Sequence, residues 1–151
     1  MKKWILLFAA AATLLSGGRG KDISKLEAVK VIEMSGHDGQ ILLRTDTGAM
    51  GSGENLDHAL RNMIATATGD LFLETTEYLL IKPECTELLD QLWEVLRPSC
   101  MICLLEGQGD LTSVGAYLDS RQLENTLMDW RAGNHQLPTL QIQEERMNIV
   151  F

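Results

Sequence analysis

Residues 77–105 read EYLLIKPECTELLDQLWEVLRPSCMICLL, in which two apolar runs flank a helical pattern. The first run, Glu77–Lys82, has the length and composition of a buried strand. Pro83 suits the first turn of a helix, and apolar residues then recur at helical spacing until Pro98 ends the pattern. Met101–Leu105 is the second apolar run. The stretch therefore predicts a strand, a helix and another strand.

The segment before this stretch predicts a β-hairpin and a helix. Leu26–Met34 and Gln40–Thr47 alternate like strands on either side of a turn-rich Ser35–Gly39, and a glycine loop follows at Gly48–Gly53. A continuous apolar stripe then recurs at helical spacing, beginning after the N-cap candidate Asn55. Its members are Leu56, Ala59, Leu60, Met63, Ile64 and Ala67.

The segment after this stretch adds helices and a final pair of strands. Asp110 caps a helix that runs through Leu118, and a further helical pattern covers Gln122–Arg131. Leu140–Ile142 and Met147–Phe151 alternate like strands around the charged turn Glu144-Glu145-Arg146. The order ββαβαβα(α)β(β) predicts one α/β (α+β) domain over residues 26–151, with a mixed β-sheet and three to four helices.

The first residues have the pattern of a secretory signal. Basic Met1-Lys2-Lys3 precedes an apolar run, Trp4–Leu15, and small residues follow it. The 12-residue run is shorter than the roughly 20 residues that a membrane-spanning helix needs. We therefore expect a signal segment at residues 1–18, a tether at 19–25, and export to the cell envelope, membrane-associated or on its extracytoplasmic face.

The end of this segment resembles the signal of a bacterial lipoprotein. Leu15-Ser16-Gly17 has the form of the residues that precede the lipidated cysteine, but Gly18 stands at the cysteine position. Glycine has no thiol to carry a lipid, so the sequence predicts no simple lipid anchor. Cleavage after Gly18 and retention of the uncleaved segment both stay open.

The charge excludes two classes of partner. The chain has 13 basic and 21 acidic residues, and without Lys2 and Lys3 its formal net charge is about −10. Such a surface repels the phosphates of nucleic acids and anionic lipid headgroups. We therefore expect neither nucleic-acid binding nor adsorption to anionic membranes.

Three cysteines, Cys85, Cys100 and Cys103, raise the question of redox or metal chemistry. Cys100-Met-Ile-Cys103 has C-x-x-C spacing, but it lies at the start of a predicted strand, where the two thiols point to opposite faces. No second pair of ligands accompanies it, because His37, His58 and His135 are scattered. The pattern favours buried apolar thiols, and no metal or cofactor site is predicted.

Asp46-Thr47-Gly48 after the apolar Ile41–Leu43 matches the catalytic signature of retropepsin-like aspartic proteases. Those enzymes have an all-β body, whereas residues 55–68 form the strongest helical pattern of the chain. Asp-Thr-Gly is also common turn chemistry at the end of a strand. A protease that uses Asp46 stays an alternative. Small-ligand binding is another, if Trp93, Tyr117 or Trp130 line a pocket.

Residues 51–107 resemble the N-terminal domain of the Ger(x)C family, the C subunit of spore-germination nutrient receptors. The likeness rests on four segments: GSGENLDHALRN at 51–62, GDLFLE at 69–74, EYLLI at 77–81, and the helix and strand up to Leu105. The tail Leu137–Leu140 with Asn148–Phe151 adds to it. Members of the family are longer than this chain and are typically lipoproteins.

The resemblance implies a non-enzymatic envelope protein of a spore former, with a role in germination or sporulation. Its expected partners are envelope or membrane protein subunits of a receptor-like complex. From their glycine content, the exposed segments Gly48–Asn55 and Gly107–Asp110 are the predicted contact surfaces.

Overall fold

The computed structural model describes residues 25–151. The predicted signal segment 1–18, its lipoprotein-like Leu15–Gly18 and all of the tether 19–25 except Lys25 lie outside the described residues.

Strands and helices alternate along this part of the chain. The strands are β1 (Leu26–Ala28), β2 (Val31–His37), β3 (Gln40–Thr45), β4 (Met50–Gly53), β5 (Asp70–Phe72), β6 (Tyr78–Ile81), β7 (Met101–Glu106), β8 (Thr139–Gln143) and β9 (Arg146–Val150). The α-helices are α1 (Leu56–Thr66), α2 (Leu111–Asp119) and α3 (Leu127–Arg131), and 3₁₀ helices span Leu73–Thr75 and Pro83–Glu94.

The main sheet has seven strands in the order β4-β3-β2-β6-β7-β8-β9. Its four central strands, β2, β6, β7 and β8, are parallel. The outer strands β3, β4 and β9 pair antiparallel through hairpins or a tight turn. The predicted α/β fold with a mixed sheet is therefore confirmed.

Burial of β6 on both faces explains why helices cover both sides of the sheet. All four of its residues, Tyr78–Ile81, are buried, as expected for a central parallel strand. Leu79 and Ile81 face a core that includes α1, the 83–94 helix and Leu127 of α3. Tyr78 and Leu80 face a second core, which α2 covers.

The predicted strand Leu26–Met34 is in fact two strands. β1 pairs in parallel with β5 in a separate two-stranded sheet, whereas β2 belongs to the main sheet. The chain changes partner at Lys30 and Val31, whose backbone N–H groups donate to the Asp46 carboxylate at 3.1 and 3.2 Å. The hairpin prediction holds, although β3 ends at Thr45 rather than Thr47.

The predicted glycine loop Gly48–Gly53 is also wrong, because Met50–Gly53 forms the edge strand β4. Helix α1 lies directly on this strand, and only glycine leaves enough room. A Cβ at Gly51 would lie 2.1 Å from the Met63 amide nitrogen, and one at Gly53 would lie 2.5 Å from the His58 Cβ. The glycines therefore permit close packing of a helix on a strand.

The helix predictions hold with two corrections. Asn55 and Asp110 cap α1 and α2, accepting from the N–H groups of His58 and Ser113, both at 2.9 Å. The helix after Pro83 is 3₁₀ in type. Of the predicted helix Gln122–Arg131, only α3 is helical. Its first half is extended, and Asn125 accepts through its carbonyl from the Ile102 N–H at 2.8 Å.

Gly51→Ala tests this close packing. We expect it to lower the free energy of unfolding by about 3 kcal/mol, since the new methyl group meets backbone atoms that cannot rotate away. Ser52→Ala, at the exposed neighbouring position, is the control and should change it by less than about 0.5 kcal/mol. Urea unfolding measures both, and equal values would contradict the packing described here.

Candidate functional site

The two predicted contact segments meet in one recess. It holds about 200 Å³ and is lined by Arg44, Thr45, Asp46, Gly48, Met50, Gly109, Asp110 and Leu111. We call it the β3–α2 crevice. Gly48 and Met50 come from the first predicted segment, and Gly109 and Asp110 come from the second. The rest of the first segment, from Gly51 to Asn55, lies outside this lining, and Gly51 and Gly53 are buried under α1.

A buried ion pair supports the crevice. Glu33 of β2 lies opposite Arg44 of β3, and the Arg44 Nη2 donates to Glu33 Oε2 at 2.5 Å. The Glu33 side chain is only 4% exposed, so Arg44 supplies the charge that its burial requires. Arg44 Nη2 also lies 3.4 Å from the Gly109 carbonyl, which links the sheet to the loop before α2.

Arg44 has one buried polar atom without a partner. Its Nε is buried and makes no hydrogen bond within residues 25–151. Glu33 and Arg44 are not among the site residues predicted from the sequence. The usable signal was the opposite charge of Glu33 and Arg44 in two strands that were predicted to pair as a hairpin.

Asp46 occupies a tight turn between β3 and β4, which Gly48 completes with a φ of 92°. Its carboxylate accepts the Lys30 and Val31 N–H groups. Asp110, the other carboxylate of the crevice, accepts from the backbone N–H and hydroxyl of Ser113, and these bonds lower its pKa. The geometry here is that of two carboxylates that cap backbone elements.

A second polar cluster lies at the amino ends of the parallel strands. The Lys30 ammonium pairs with Asp119, and the Tyr78 hydroxyl donates to the other oxygen of that carboxylate at 2.9 Å. The Lys30 and then the Tyr78 hydrogen bond lower the pKa of Asp119. Burial and the Asp119 carboxylate raise the pKa of Tyr78. This cluster ties β2 and β6 to the end of α2.

The three cysteines are free and buried. Cys100 belongs to the core under the 83–94 helix and Cys103 to the core under α2, so the two thiols lie on opposite faces, as the strand pattern predicts. Burial raises the pKa of each of these two thiols to about 12. Burial, with the neighbouring Glu84, also raises the pKa of Cys85.

The structure separates the aromatic residues named for ligand binding. Trp93 and Trp130 line one groove of about 390 Å³ together with Asp90, Glu94 and Arg131. The Arg131 guanidinium lies 4.3 Å from the centre of the Trp93 ring. Tyr117 is elsewhere, beside β9. The two tryptophans therefore line the same groove, and Tyr117 does not line it.

The remaining sequence candidates lie apart from one another. His37 is exposed in the β2–β3 hairpin, 3.0 Å from Asp38, His58 is exposed on α1, and His135 stacks on Trp130. Within residues 25–151, no three His, Cys, Asp or Glu side chains are grouped as metal ligands. None of the helices in this part of the chain is long and apolar enough to cross a membrane.

Comparison with protein-family models, curated proteins and solved structures gives no match to this chain.

The ion pair predicts a strongly non-additive mutational cycle. Arg44→Leu alone should lower the free energy of unfolding by about 3–5 kcal/mol, because it leaves the Glu33 charge buried without a cation. The double variant Glu33→Leu/Arg44→Leu should recover most of that loss. Urea unfolding of the wild type, both single variants and the double variant measures it. Additive losses would show that the two side chains do not depend on each other.

The buried thiols predict slow chemical modification. With a pKa of about 12, roughly one thiol in ten thousand is ionised at pH 8, and the thiolate is the nucleophile. We expect Ellman's reagent to react with Cys100 and Cys103 at pH 8 only on unfolding, and with all three cysteines at once in 8 M urea on the order of minutes. Rapid reaction of the folded protein at Cys100 or Cys103 would contradict the burial.

Proposed function

We propose that this chain is an exported, non-enzymatic interaction module of the cell envelope, which contacts a partner protein through the β3–α2 crevice. The observation that carries the proposal is the crevice itself. Two segments that are far apart in sequence form its walls, and an exposed methionine, Met50, stands at its rim.

The chemistry of the crevice supports contact rather than turnover. Asp46 and Asp110 accept hydrogen bonds from backbone N–H groups, so each carboxylate has a structural partner already. The recess is small, at about 200 Å³. It opens beside β4, where the Met50 side chain is 48% exposed. Exposed methionine is common at protein-binding surfaces, because its side chain adapts to a partner.

The proposed partner class follows from the resemblance to the Ger(x)C N-terminal domain. We propose a membrane or envelope protein subunit of a receptor-like complex that acts in spore germination or sporulation. Export would rest on the signal segment at residues 1–18. The strongly acidic chain would then reach the membrane through a protein partner rather than through anionic lipid.

A second proposal, small-ligand binding, has one favourable observation. Trp93 and Trp130 lie in the same groove, with Asp90 and Glu94 among its lining residues. An aromatic and acidic lining suits an organic cation, which would have to displace the Arg131 guanidinium from the Trp93 ring. Quenching of tryptophan fluorescence by small organic cations, abolished in Trp93→Ala, would support this second function.

Site-specific photo-crosslinking tests the main proposal. A photoreactive amino acid replaces Met50 in the full-length chain, expressed in sporulating cells of the source organism. The control carries it at Met128, which is 55% exposed on α3 and lies outside the crevice. We expect a discrete crosslink to a membrane or envelope subunit from position 50 and little from position 128.

The matching substitution is Met50→Glu, compared with Met128→Glu. We expect Met50→Glu to reduce co-isolation of the crosslinked subunit at least about tenfold, because a partner that covers Met50 would bury the new charge. Unchanged urea unfolding of both variants shows that the fold is intact. Equal crosslinking from the two positions, or none from position 50, would contradict a partner at the crevice.

A further inference from the structure

The two edges of the seven-stranded sheet differ in how their backbone groups are satisfied. At the β4 edge, the outward groups are covered by side chains of α1. The Thr66 hydroxyl binds both the N–H and the carbonyl of Met50, at 3.3 and 2.6 Å, and the Asn62 amide donates to the Ser52 carbonyl at 2.6 Å. This edge is therefore closed to another strand.

Among the described residues, nothing covers the β9 edge. Gln143 and Arg146 pair across the two-residue turn Glu144-Glu145, in which both residues have positive φ, as in a type I′ hairpin. That closure makes Arg146, Asn148 and Val150 the residues whose backbone groups bond to β8. The backbone groups of Met147 and Ile149 point away from β8, and within residues 25–151 no side chain or backbone group pairs with them.

The side chains along β9 also lack the usual protection of an edge strand. Natural edges are commonly blocked by charged residues or proline, but in β9 only its first residue, Arg146, is charged, and Met147–Phe151 contains neither a charged side chain nor proline. Met147 and Ile149 are half-buried against the core under α2, while Val150 and Phe151 are 45% and 86% exposed. A recess of about 350 Å³ borders this row, lined in part by Tyr117, Ile149 and Phe151.

We propose that β9 takes an eighth strand, and that this strand is β9 of a second copy of the chain. When a two-fold axis relates two copies of the same edge strand, the two strands pair antiparallel. Both copies then contribute the same surface to the interface. The outward residues then define the register. Ile149 lies opposite Ile149 of the second copy, and Met147 lies opposite Phe151 of the second copy.

Charge favours this occupant in spite of the acidic composition. The side chains of the paired residues 147–151 carry no charge, so no like-charged side chains face each other across the new ladder. The acidic turns at Glu144-Glu145 of the two copies would lie about 30 Å apart along the strands, at about 3.3 Å per residue. That distance is about three Debye lengths at 0.1 M salt, so their repulsion is largely screened.

Cysteine crosslinking of the full-length chain tests the register. Ile149→Cys places two thiols on the two-fold axis, where the Cα atoms of paired residues lie about 5.5 Å apart, within the range of a disulfide. Met147→Cys is the control, because its two thiols would be about 13 Å apart along the strands. The native thiols are buried and should not interfere.

We expect mild oxidation to give a disulfide-linked dimer of Ile149→Cys and none of Met147→Cys. Equal crosslinking of both variants, or of neither, would overturn the proposed register. A crosslink to a different protein would contradict the proposal that the eighth strand comes from a second copy of this chain.

A proline substitution tests the backbone contribution without breaking the β8–β9 ladder. Ile149→Pro removes an N–H that points outward, which an edge strand tolerates, and circular dichroism and urea unfolding verify its fold. Sedimentation equilibrium should show a dimer dissociation constant raised at least about tenfold, since both copies lose a backbone hydrogen bond. Ile149→Val retains the N–H and should dimerise like the wild type.

A monomeric wild type at all concentrations up to about 1 mM, or a dimer that Ile149→Pro leaves unchanged, would overturn the proposal. Neither result depends on Met50, so failure here and failure of the crevice proposal are distinguishable.

Discussion

The burial of β6 on both faces constrains the rest of this fold. Tyr78, Leu79, Leu80 and Ile81 are all buried, so apolar elements must cover the sheet from two sides. Three helices cover one face and α2 alone covers the other. Because α2 packs over the parallel strands, β3 and β4 are left uncovered on that side. The β3–α2 crevice forms at this boundary, where Met50 is exposed and the Glu33–Arg44 pair is partly screened by the loop before α2.

The placement of the helices also determines which edge of the sheet has its backbone groups covered. Helix α1 approaches β4 closely because Gly51 and Gly53 have no side chains, and its polar residues then satisfy the outward groups of that strand. No described element does this for β9. Within residues 25–151, one edge of the sheet is thus covered by a helix, and the other, whose side chains are uncharged from Met147 to Phe151, is the edge to which we assign association. The crevice and the β9 edge are not fully separate, because Gly109 and Asp110 of the crevice also line a recess with Ile142 and Met147.

Much of the fold could be predicted from local patterns. The strand–helix–strand order of residues 77–105, the caps at Asn55 and Asp110 and the acidic final turn each follow from short-range chemistry. The break at Lys30 could not, since it depends on a hydrogen bond to Asp46, sixteen residues away. The strand at Met50–Gly53 could not either, because glycine favours loops until a helix packs on it. The Glu33–Arg44 pair needed the hairpin register, which only the structure supplies.

The most direct test of the central claim is to measure in which cell fraction the protein is found and which proteins are isolated with it. The full-length protein is captured from sporulating cells of the source organism after separation of membrane, spore and soluble fractions. An envelope interaction module predicts recovery in the membrane or spore fraction, together with subunits of a germination receptor. A freely soluble protein with no such subunits would contradict the account and would return attention to the groove at Trp93 and Trp130.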